Sequence, residues 1–340
     1  MIPPLRPYQV DQVRAVYEAL GAGATRPLVV AATGTGKSTS LARIAELAVC
    51  AGWRVLVAAH RIEILAQLRD RCALGRLPSG RPIPVGLERA DARSRGEPVV
   101  VGSVQTLSPA RLAAAQAGGQ APFSLVLVDE AHHAPARSYD PLFDLGIPLV
   151  GFTATPDRSD GVPLHERFDT VAHVYDIADA QRDGYLTPVA TASAHSIDHL
   201  LYYLRGARSV VFASSVEASK ALAYTLTEHG LRAAHLDGTT HPLVRAATLR
   251  AFADRDLDVL CNYNILTEGW DCPGVDVVAV MRDTSARATR AQMVGRGLRP
   301  APGKAMTLVV ELPCAEALDL ATPADPLGRY PLPLTACDAR

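Results

Sequence analysis

The sequence lacks the features that mark several simpler classes of protein. Its formal net charge is −1 and charged residues make up 20% of the chain, so bulk composition does not indicate a polyanion-binding protein. Six cysteines occur without a C-x-x-C pair, which indicates neither a zinc knuckle nor a disulfide framework. No apolar run reaches the ~18 residues of a membrane span, and the start shows no charged segment followed by an apolar one. We therefore expect a cytoplasmic protein.

The length of the chain and its apolar content predict two domains, each with its own core. The 340 residues exceed the usual domain size of about 100 to 200 residues, and 48% of them are hydrophobic. Runs that are apolar on both faces are typical of strands in a parallel sheet that helices cover. In the first half such runs occur at Pro27–Ala31, Arg54–Ala58, Pro98–Val101, Ser124–Val128 and Pro148–Phe152. This half is predicted to be a doubly wound α/β domain.

A second, smaller α/β domain is predicted after a less regular stretch from Asp176 to Ser193. Its helical segments include Val216–His229, which has apolar residues at helical spacing. Its apolar runs lie at Ser209–Ala213, Arg232–Leu236, Asp258–Cys261, Asp276–Met281 and Met306–Val310. The proline-rich end of the chain shows little periodicity, which predicts a loosely packed extension. We assign the two domains and the tail to residues 1–185, 186–314 and 315–340.

A glycine-rich segment connects the first apolar run to a helical pattern. It reads Ala32-Thr-Gly-Thr-Gly-Lys-Ser38, in which Gly34 and Gly36 can adopt backbone angles that other residues avoid. Consecutive N–H groups can then converge on phosphate oxygens at the helix N-terminus. Lys37 would neutralise the β- and γ-phosphates, and the Ser38 hydroxyl would ligate Mg²⁺.

An acidic pair closes another apolar run. Asp129 and Glu130 follow Leu125–Val128, and the carboxyl ends of strands are where α/β sheets bind ligands. Asp129 can hold Mg²⁺ through water, and Glu130 can orient and deprotonate an attacking water molecule. His132 is predicted to hydrogen-bond to the next strand end, at Thr153-Ala-Thr155. With the glycine-rich loop, the pair indicates hydrolysis of a nucleoside triphosphate.

Arginines cluster far along the chain. Between Met281 and Lys304 there are five arginines and one lysine against a single acidic residue. On charge alone, a solvated helix face explains this segment as well as a functional role does. The element Gln292-Met-Val-Gly-Arg-Gly-Leu-Arg299 supplies arginines from far along the chain, which suggests that a second domain closes the hydrolysis site.

In this order, the motifs resemble those of the superfamily 2 DEAD/DEAH-box helicases. The match is to the branch with an RPYQ signature, found in DNA-repair helicases and restriction-enzyme motor subunits, and it runs from Leu5 to about Leu312. The resemblance implies two tandem RecA-like parallel-sheet domains of the α/β class with an interdomain cleft for ATP. It also implies Mg²⁺ as the metal cofactor.

The resemblance assigns the nucleotide site residue by residue. Arg6-Pro-Tyr-Gln9 matches the segment that reads adenine, with Gln9 able to bond the Hoogsteen edge. Lys37 and Glu130 match catalytic positions. The phosphate loop matches at Thr33, Gly34, Thr35, Gly36, Lys37, Ser38 and Thr39. The residues implied to couple nucleotide state to domain closure are His132, Thr153 and Thr155.

Two later motifs belong to the second half. Leu266-Thr-Glu-Gly-Trp-Asp-Cys-Pro273 matches the fifth helicase motif, in which Gly269 and Asp271 would bind the nucleotide. The segment Gln292 to Arg299 fits Q-x-x-G-R-x-x-R without a gap. The implied catalytic residues are Gln292, Arg296 and Arg299, with the two arginines stabilising charge on the transferring phosphoryl group.

Contacts to a nucleic-acid strand are expected at loop ends on one face of both domains. Small hydroxyl and amide side chains suit sugar-phosphate contacts, which fix register without reading sequence. The resemblance places these contacts at His60, Arg61, Ser103, Gln105, Thr106, Ser214, Ser215 and Thr267. For any one of them, an N-cap or turn role explains the residue equally well.

These expectations describe an ATP-dependent DNA helicase or translocase, which is a DNA-dependent ATPase. DNA is favoured over RNA because RPYQ, DEAH with a following histidine, and GRGLRP match the DNA-acting branch better. Two alternatives stay open: an ATP-switched clamp or assembly ATPase, and a phosphotransferase for small molecules. We expect a monomer in a DNA-repair, recombination or restriction setting, with a protein partner for targeting.

Overall fold

The structure is a computed structural model that describes residues 1–117, 121–154, 164–266, 270, 272–281 and 287–312. The chain divides into two compact units between Ala180 and Gln181. The boundary predicted after residue 185 stays a prediction, and the tail predicted at 315–340 lies outside the described residues. Each unit is built on one parallel sheet.

The first unit contains a seven-stranded sheet in the order β3-β4-β2-β5-β6-β1-β7. All pairings between neighbouring strands are parallel, so each connection must cross over the sheet. The strands are β1 Pro27–Ala31, β2 Val55–Ala59, β3 Val85–Glu88, β4 Val99–Ser103, β5 Leu125–Val128, β6 Leu149–Thr153 and β7 Thr170–Tyr175.

Helices cover this sheet and bury both of its faces. Alternate residues of one strand enter different clusters: Val55 and Val57 pack on one face, and Leu56 and Ala58 pack on the other. Burial on both faces explains why the strands read as continuous apolar runs. The helices are α1 Pro7–Gly21, α2 Lys37–Cys50, α3 Ile62–Cys72, α4 Pro109–Ala115 and α5 Asp140–Phe143, and α6 Ile177–Arg182 spans the division between the units.

The second unit contains a six-stranded parallel sheet in the order β10-β11-β9-β12-β13-β8. Two apolar clusters again cover its two faces. The strands are β8 Val189–Ser193, β9 Ser209–Phe212, β10 Ala233–Leu236, β11 Val259–Asn262, β12 Val277–Val280 and β13 Thr307–Glu311. The helices are α7 Ile197–Leu204, α8 Val216–Glu228, α9 Pro242–Ala253 and α10 Arg287–Gly295.

The apolar runs predicted as strands are confirmed, but three edge strands were not predicted. The sequence predicts an irregular stretch from Asp176 to Ser193, and its end is instead β8, which pairs with β13. Residues of β8 alternate between exposed and half-buried, so they form no apolar run. Strands β3 and β7, also at sheet edges, are only partly buried.

The strand order positions the candidate site in the first unit. Strand β6 lies between β5 and β1, and β2 lies between β4 and β5. Because all these strands are parallel, the loops after β1, β5, β6, β2 and β4 leave from one edge of the sheet. Among the described residues, no helix is both long and apolar enough to span a bilayer.

Candidate functional site

The glycine-rich loop connects β1 to α2 as the sequence predicts. Gly34 and Gly36 have φ angles of +88° and +84°, in the left-handed region that favours glycine. The buried Lys37 begins α2, and its Nζ donates to the Ala31 carbonyl at 3.2 Å. Thr35 is fully buried and its Oγ1 donates to the Ala32 carbonyl at 2.7 Å. The loop therefore presents backbone N–H groups at a helix N-terminus, where anions bind.

Residues of the RPYQ segment brace this loop. Gln9 Nε2 donates to the carbonyls of Thr35 at 3.2 Å and Gly36 at 3.3 Å, while Gln9 Oε1 accepts from Arg6 N at 3.0 Å. The Tyr8 hydroxyl also donates to the Thr35 carbonyl. The adenine contact of Arg6 and Gln9 stays a prediction, and the geometry adds that Gln9 supports the phosphate loop.

A tyrosine pair that the sequence did not reveal holds the RPYQ segment from the other side. The rings of Tyr8 and Tyr175 stack with centroids 4.0 Å apart and planes 6° from parallel. Tyr175 ends β7, the edge strand that pairs with β1. The sequence did not reveal that Tyr8 stacks on Tyr175, because β7 has no continuous apolar run and was not predicted as a strand.

The acidic pair lies at the carboxyl end of β5. Asp129 is buried, and its Oδ1 accepts from Glu130 N at 3.1 Å. Glu130 has φ +50° and ψ +52°, a left-handed conformation that costs a non-glycine residue about 1–2 kcal/mol. In the part of the chain that the structure describes, no group donates a hydrogen bond to the buried Glu130 Oε2, although His132 Nδ1 lies 3.4 Å away. Such strain and an available carboxylate oxygen are typical of functional positions.

The predicted contact between His132 and the end of β6 is present. Thr153 Oγ1 lies 3.4 Å from His132 Nδ1, and both residues are buried. Thr155, the other residue predicted to couple nucleotide state to closure, lies outside the described residues. The coupling role of His132 and Thr153 stays a prediction.

Three of the predicted strand-contact residues form one hydrogen-bonded group at the ends of β2 and β4. Gln105 Nε2 donates to the His60 carbonyl at 2.8 Å and lies 3.0 Å from His60 Nδ1. Ser103 Oγ donates to Gln105 Oε1 at 2.5 Å. Gln105 is exposed and His60 is half-buried, so the group reaches the surface.

The remaining strand-contact candidates lie at helix starts, in a turn or outside the described residues. Arg61 is the residue that precedes α3, and Thr106 N donates to the Ser103 carbonyl at 2.8 Å in a turn. Ser215 is an N-cap, because its hydroxyl accepts from Ala218 N at 3.0 Å at the start of α8. Its neighbour Ser214 is half-buried. Thr267 lies outside the described residues.

In the second unit, Arg296 joins the Gln292–Arg299 segment to the fifth helicase motif. Its Nη1 donates to the Trp270 carbonyl at 2.6 Å, and the residue is only 9% exposed. Gln292 is buried on α10, whereas Arg299 is half-buried. Gly269 and Asp271, predicted to bind nucleotide, lie outside the described residues. The catalytic roles of Gln292, Arg296 and Arg299 stay predictions.

A polar clamp, formed by Thr187, Lys304 and Thr307, holds the carbonyls of residues 297–299. Thr307 Oγ1 donates to the Gly297 carbonyl at 2.7 Å and lies 2.7 Å from Thr187 Oγ1. Thr187 N donates to the Leu298 carbonyl at 2.8 Å, and Lys304 Nζ donates to the Gly297 and Arg299 carbonyls. Burial lowers the pKa of Lys304 to about 8. The backbone between Arg296 and Arg299 is thus held by hydrogen bonds from three residues.

A buried trio outside these motifs links α8 to β10. His235 Nδ1 lies 2.7 Å from Ser219 Oγ, and its Nε2 lies 3.1 Å from Asp237 Oδ2. Burial lowers the pKa of His235, although Asp237 acts in the opposite direction. Burial raises the pKa of Asp237, but hydrogen bonds from Thr239 and His235 outweigh it and bring that pKa well below its usual value. Because Ser219 is fully buried, the trio is structural and offers no accessible nucleophile.

Two protein families match consecutive parts of the chain. The family described as Type III restriction enzyme, res subunit, matches residues 2–158, and the helicase conserved C-terminal domain matches residues 193–301. The chain belongs to the superfamily 2 helicases. It falls in the branch of the restriction-enzyme motors, and the tandem RecA-like fold is confirmed.

Curated relatives of this helicase-family chain include proteins of phage, yeast and bacteria. A 51.5 kDa protein of a Lactococcus phage is 25% identical over 78% of this chain and 61% of its own length. IRC3 of Saccharomyces cerevisiae, named as an ATP-dependent helicase, is 24% identical over 87% of this chain and 50% of its own length. UvrABC system protein B of Thermotoga neapolitana is 32% identical over 29% of this chain and 16% of its own length.

Solved structures share the fold of this helicase-family chain. The ATP-dependent Type ISP restriction-modification enzyme LlaBIII, bound to DNA, superposes with a TM-score of 0.70 at 17% identity, covering 92% of this chain and 28% of that enzyme. A fragment of an HsdR subunit assigned to a type I restriction enzyme of Vibrio vulnificus superposes with a TM-score of 0.69 at 20% identity, covering 90% of this chain and 64% of the fragment. The chain spans about half to three-fifths of the length of the first two curated relatives.

Proposed function

We propose that this chain is the motor of an ATP-dependent DNA helicase or translocase, in which ATP hydrolysis drives movement along one strand. One observation carries the proposal. The glycine-rich loop after β1, the acidic pair after β5 and Thr153 at the end of β6 leave adjacent parallel strands at one edge of the sheet. That is the arrangement in which one bound triphosphate can meet all three.

The residues of the first unit fit a magnesium-bound nucleoside triphosphate. Gly34 and Gly36 already have the backbone angles that let N–H groups converge at the start of α2. Lys37 is held close to the loop by the Ala31 carbonyl, so little side-chain freedom is lost when its ammonium meets phosphate oxygens. Ser38 and Asp129 would hold Mg²⁺, which when bound neutralises charge on the β- and γ-phosphates.

Glu130 is the residue to which we assign proton abstraction. Its Oε2 atom is buried and accepts no hydrogen bond from the described residues, so it can accept one from an attacking water. The left-handed backbone at Glu130 turns the chain sharply beyond the strand end. His132 packs against the same carboxylate and against Thr153, which limits where the carboxylate can move.

DNA is the polymer that we assign to the exposed group at the ends of β2 and β4. The chain is nearly neutral, so strand binding must rely on local polar groups such as the exposed amide of Gln105, which the buried Ser103 holds through its hydroxyl. A structural neighbour is titled as bound to DNA, and a shorter match is to a protein of the UvrABC system. These likenesses support DNA over RNA and a role in repair or restriction.

The first test is ATP turnover measured with single-stranded DNA, duplex DNA, forked DNA and RNA. The proposal predicts that turnover rises with DNA and much less with RNA, and that Lys37→Ala abolishes turnover on every substrate. The Lys37 variant also controls for contaminating ATPases. Turnover that is indifferent to all nucleic acids but raised by a small acceptor molecule would instead indicate a phosphotransferase.

A second assay separates a translocase from an ATP-switched clamp. The protein is loaded on duplex DNA that carries a short third strand, and release of that strand is followed with ATP and with a non-hydrolysable analogue. A translocase displaces the third strand only when ATP is hydrolysed. A clamp leaves the triplex intact under both conditions while still binding DNA in a nucleotide-dependent way.

A further inference from the structure

Three histidine rings lie next to one another in the first unit. The rings of His60 and His133 lie with centroids 4.9 Å apart and planes 25° from parallel. The ring centroids of His133 and His132 are 4.1 Å apart, with the planes tilted by 42°. We name the rings of His60, His133 and His132 the histidine stack. It brings together residues from two separate loops, after β2 and after β5, that no sequence motif links.

The outer end of the stack meets the strand-contact group. His60 is bound through its carbonyl and Nδ1 atoms by the exposed Gln105, whose Oε1 accepts from Ser103 Oγ. A strand that binds the exposed Gln105 must exchange some of these hydrogen bonds for its own. Gln105 contacts both the backbone and the ring of His60, so the exchange of its hydrogen bonds would change the position of the His60 ring.

The inner end of the stack meets the residues assigned to hydrolysis. His132 Nδ1 lies 3.4 Å from Glu130 Oε2 and 3.4 Å from Thr153 Oγ1. Both His132 and Glu130 are at most 9% exposed, so a shift of the His132 ring must displace neighbouring protein atoms, including the Glu130 carboxylate. Packed interiors transmit such displacements because they contain few voids.

We propose that the histidine stack couples strand binding at the ends of β2 and β4 to the position of the Glu130 carboxylate, with His133 as the connecting residue. The inference rests on the proposed function. The His133 ring packs against His132 on one side and His60 on the other, and it acts by holding both rings. It is a positioning residue, and it directly follows the DEAH sequence Asp129–His132.

The mechanism requires only a small change in population. If strand binding favours one placement of the stack, the carboxylate placement that suits water activation is favoured by the same factor. Coupling of this kind amounts typically to about 5–150-fold. We therefore expect most of the DNA stimulation of ATP turnover to pass through His133, while turnover without DNA does not depend on it.

The test compares His133→Ala with His133→Phe, which keeps an aromatic ring to stack between His60 and His132. A matched control is His165→Ala, an exposed histidine of the same unit. For each protein we would measure ATP turnover without DNA, turnover at saturating single-stranded DNA, DNA affinity and the unfolding midpoint.

The proposal predicts that His133→Ala keeps its basal turnover and DNA affinity within about twofold but loses at least about fivefold of its stimulation. His133→Phe is expected to retain most of the stimulation, and His165→Ala all of it. Normal DNA stimulation of ATP turnover in His133→Ala would overturn the proposal. A proportional fall in basal and stimulated turnover would also overturn it, because that result indicates a purely structural role for His133. Loss of stimulation in His133→Phe as well would show that stacking is not the link.

Failure of the proposed function gives a different result. If the wild-type protein turns over ATP at one rate with and without every nucleic acid, DNA-driven motor function itself is wrong and the coupling falls with it. If the wild type is stimulated and His133→Ala is stimulated equally, the motor function stands and only the histidine stack is refuted. A double variant with Gln105→Ala extends the test, since coupling through one path predicts that the two losses of stimulation are not additive.

Discussion

The Arg296 guanidinium donates a hydrogen bond to the main-chain carbonyl of Trp270 at 2.6 Å. This contact fixes the backbone of the fifth helicase motif with a residue of the Gln292–Arg299 segment, so Arg296 has a structural role besides its predicted catalytic one. Arg296→Ala should lower ATP turnover about a thousandfold or more. It should also lower the unfolding free energy by about 1–3 kcal/mol, because the Trp270 carbonyl loses a charged donor.

The control for Arg296 is Arg205→Ala, an exposed arginine of the same unit. Its unfolding free energy should stay within about 0.5 kcal/mol of wild type. Arg299→Ala should reduce turnover as strongly as Arg296→Ala while ATP affinity is spared. Near-wild-type turnover in both Arg296→Ala and Arg299→Ala would remove the arginine-finger assignment.

Gly36→Ala tests the backbone geometry of the phosphate loop. At φ +84° an added Cβ is strained by about 1–2 kcal/mol, and it would lie 3.0 Å from Gln9 Nε2. Gly80 offers a matched control, since its φ is +81° and a Cβ there meets nothing within 4 Å. Both variants should lose stability in denaturant unfolding, and Gly36→Ala should lose at least as much as Gly80→Ala because only its Cβ has a close neighbour. Only Gly36→Ala should lose ATP binding, and equal ATP affinities in the two would contradict the assignment.

Thr307→Val tests the polar clamp. Valine has nearly the same shape, but it removes the hydrogen bond to the Gly297 carbonyl and the contact with Thr187 Oγ1. Because Thr307 is fully buried, the loss should cost about 1–3 kcal/mol of unfolding free energy and also reduce turnover. Thr227→Val removes only a bond to the Ala223 carbonyl within a helix and should cost much less. Equal costs would mean that the clamp does not hold the arginine segment.

The fold was largely predictable because most strands are buried on both faces. Leu56 and Val57 point to opposite clusters, yet both are apolar, so β2 reads as a continuous run. Edge strands such as β8 expose alternate residues and give no such signal. The stack of Tyr8 on Tyr175 was missed for this reason, since Tyr175 belongs to edge strand β7.

The parts of the candidate site that consist of residues adjacent in sequence were predictable. The loop around Lys37 and the pair Asp129–Glu130 are local patterns, and their positions at strand ends follow from the parallel sheet. The contact of His60 with His133 was not predictable, because it depends on β2 and β5 being neighbours in the sheet. The bond from Arg296 to Trp270 likewise joins segments that only folding brings together.

The buried His235 predicts how stability responds to pH. Its pKa is lowered by burial, so below about pH 6.5 the unfolded chain binds a proton that the folded chain does not. Stability should therefore fall as the pH drops from 7.5 to 5.5. Asp237 does not contribute to the change in this range, since its depressed pKa matters only near pH 4 and below.

The check is the unfolding free energy of wild type and His235→Gln at pH 7.5 and 5.5. Glutamine keeps polar atoms near Ser219 and Asp237 but cannot titrate, so the variant should lose less stability on acidification. His199→Gln, at an exposed histidine, should behave as wild type does. An identical pH response in His235→Gln and wild type would show that His235 is not the responsible group.

The most direct test of the motor assignment is Glu130→Gln, assayed for ATP binding and for ATP hydrolysis with single-stranded DNA. The amide keeps the size of the side chain but removes the base that Glu130 Oε2 provides. ATP affinity should remain within a few-fold of wild type, while turnover should fall by about 10²–10⁴. Hydrolysis at the wild-type rate in Glu130→Gln would contradict the account.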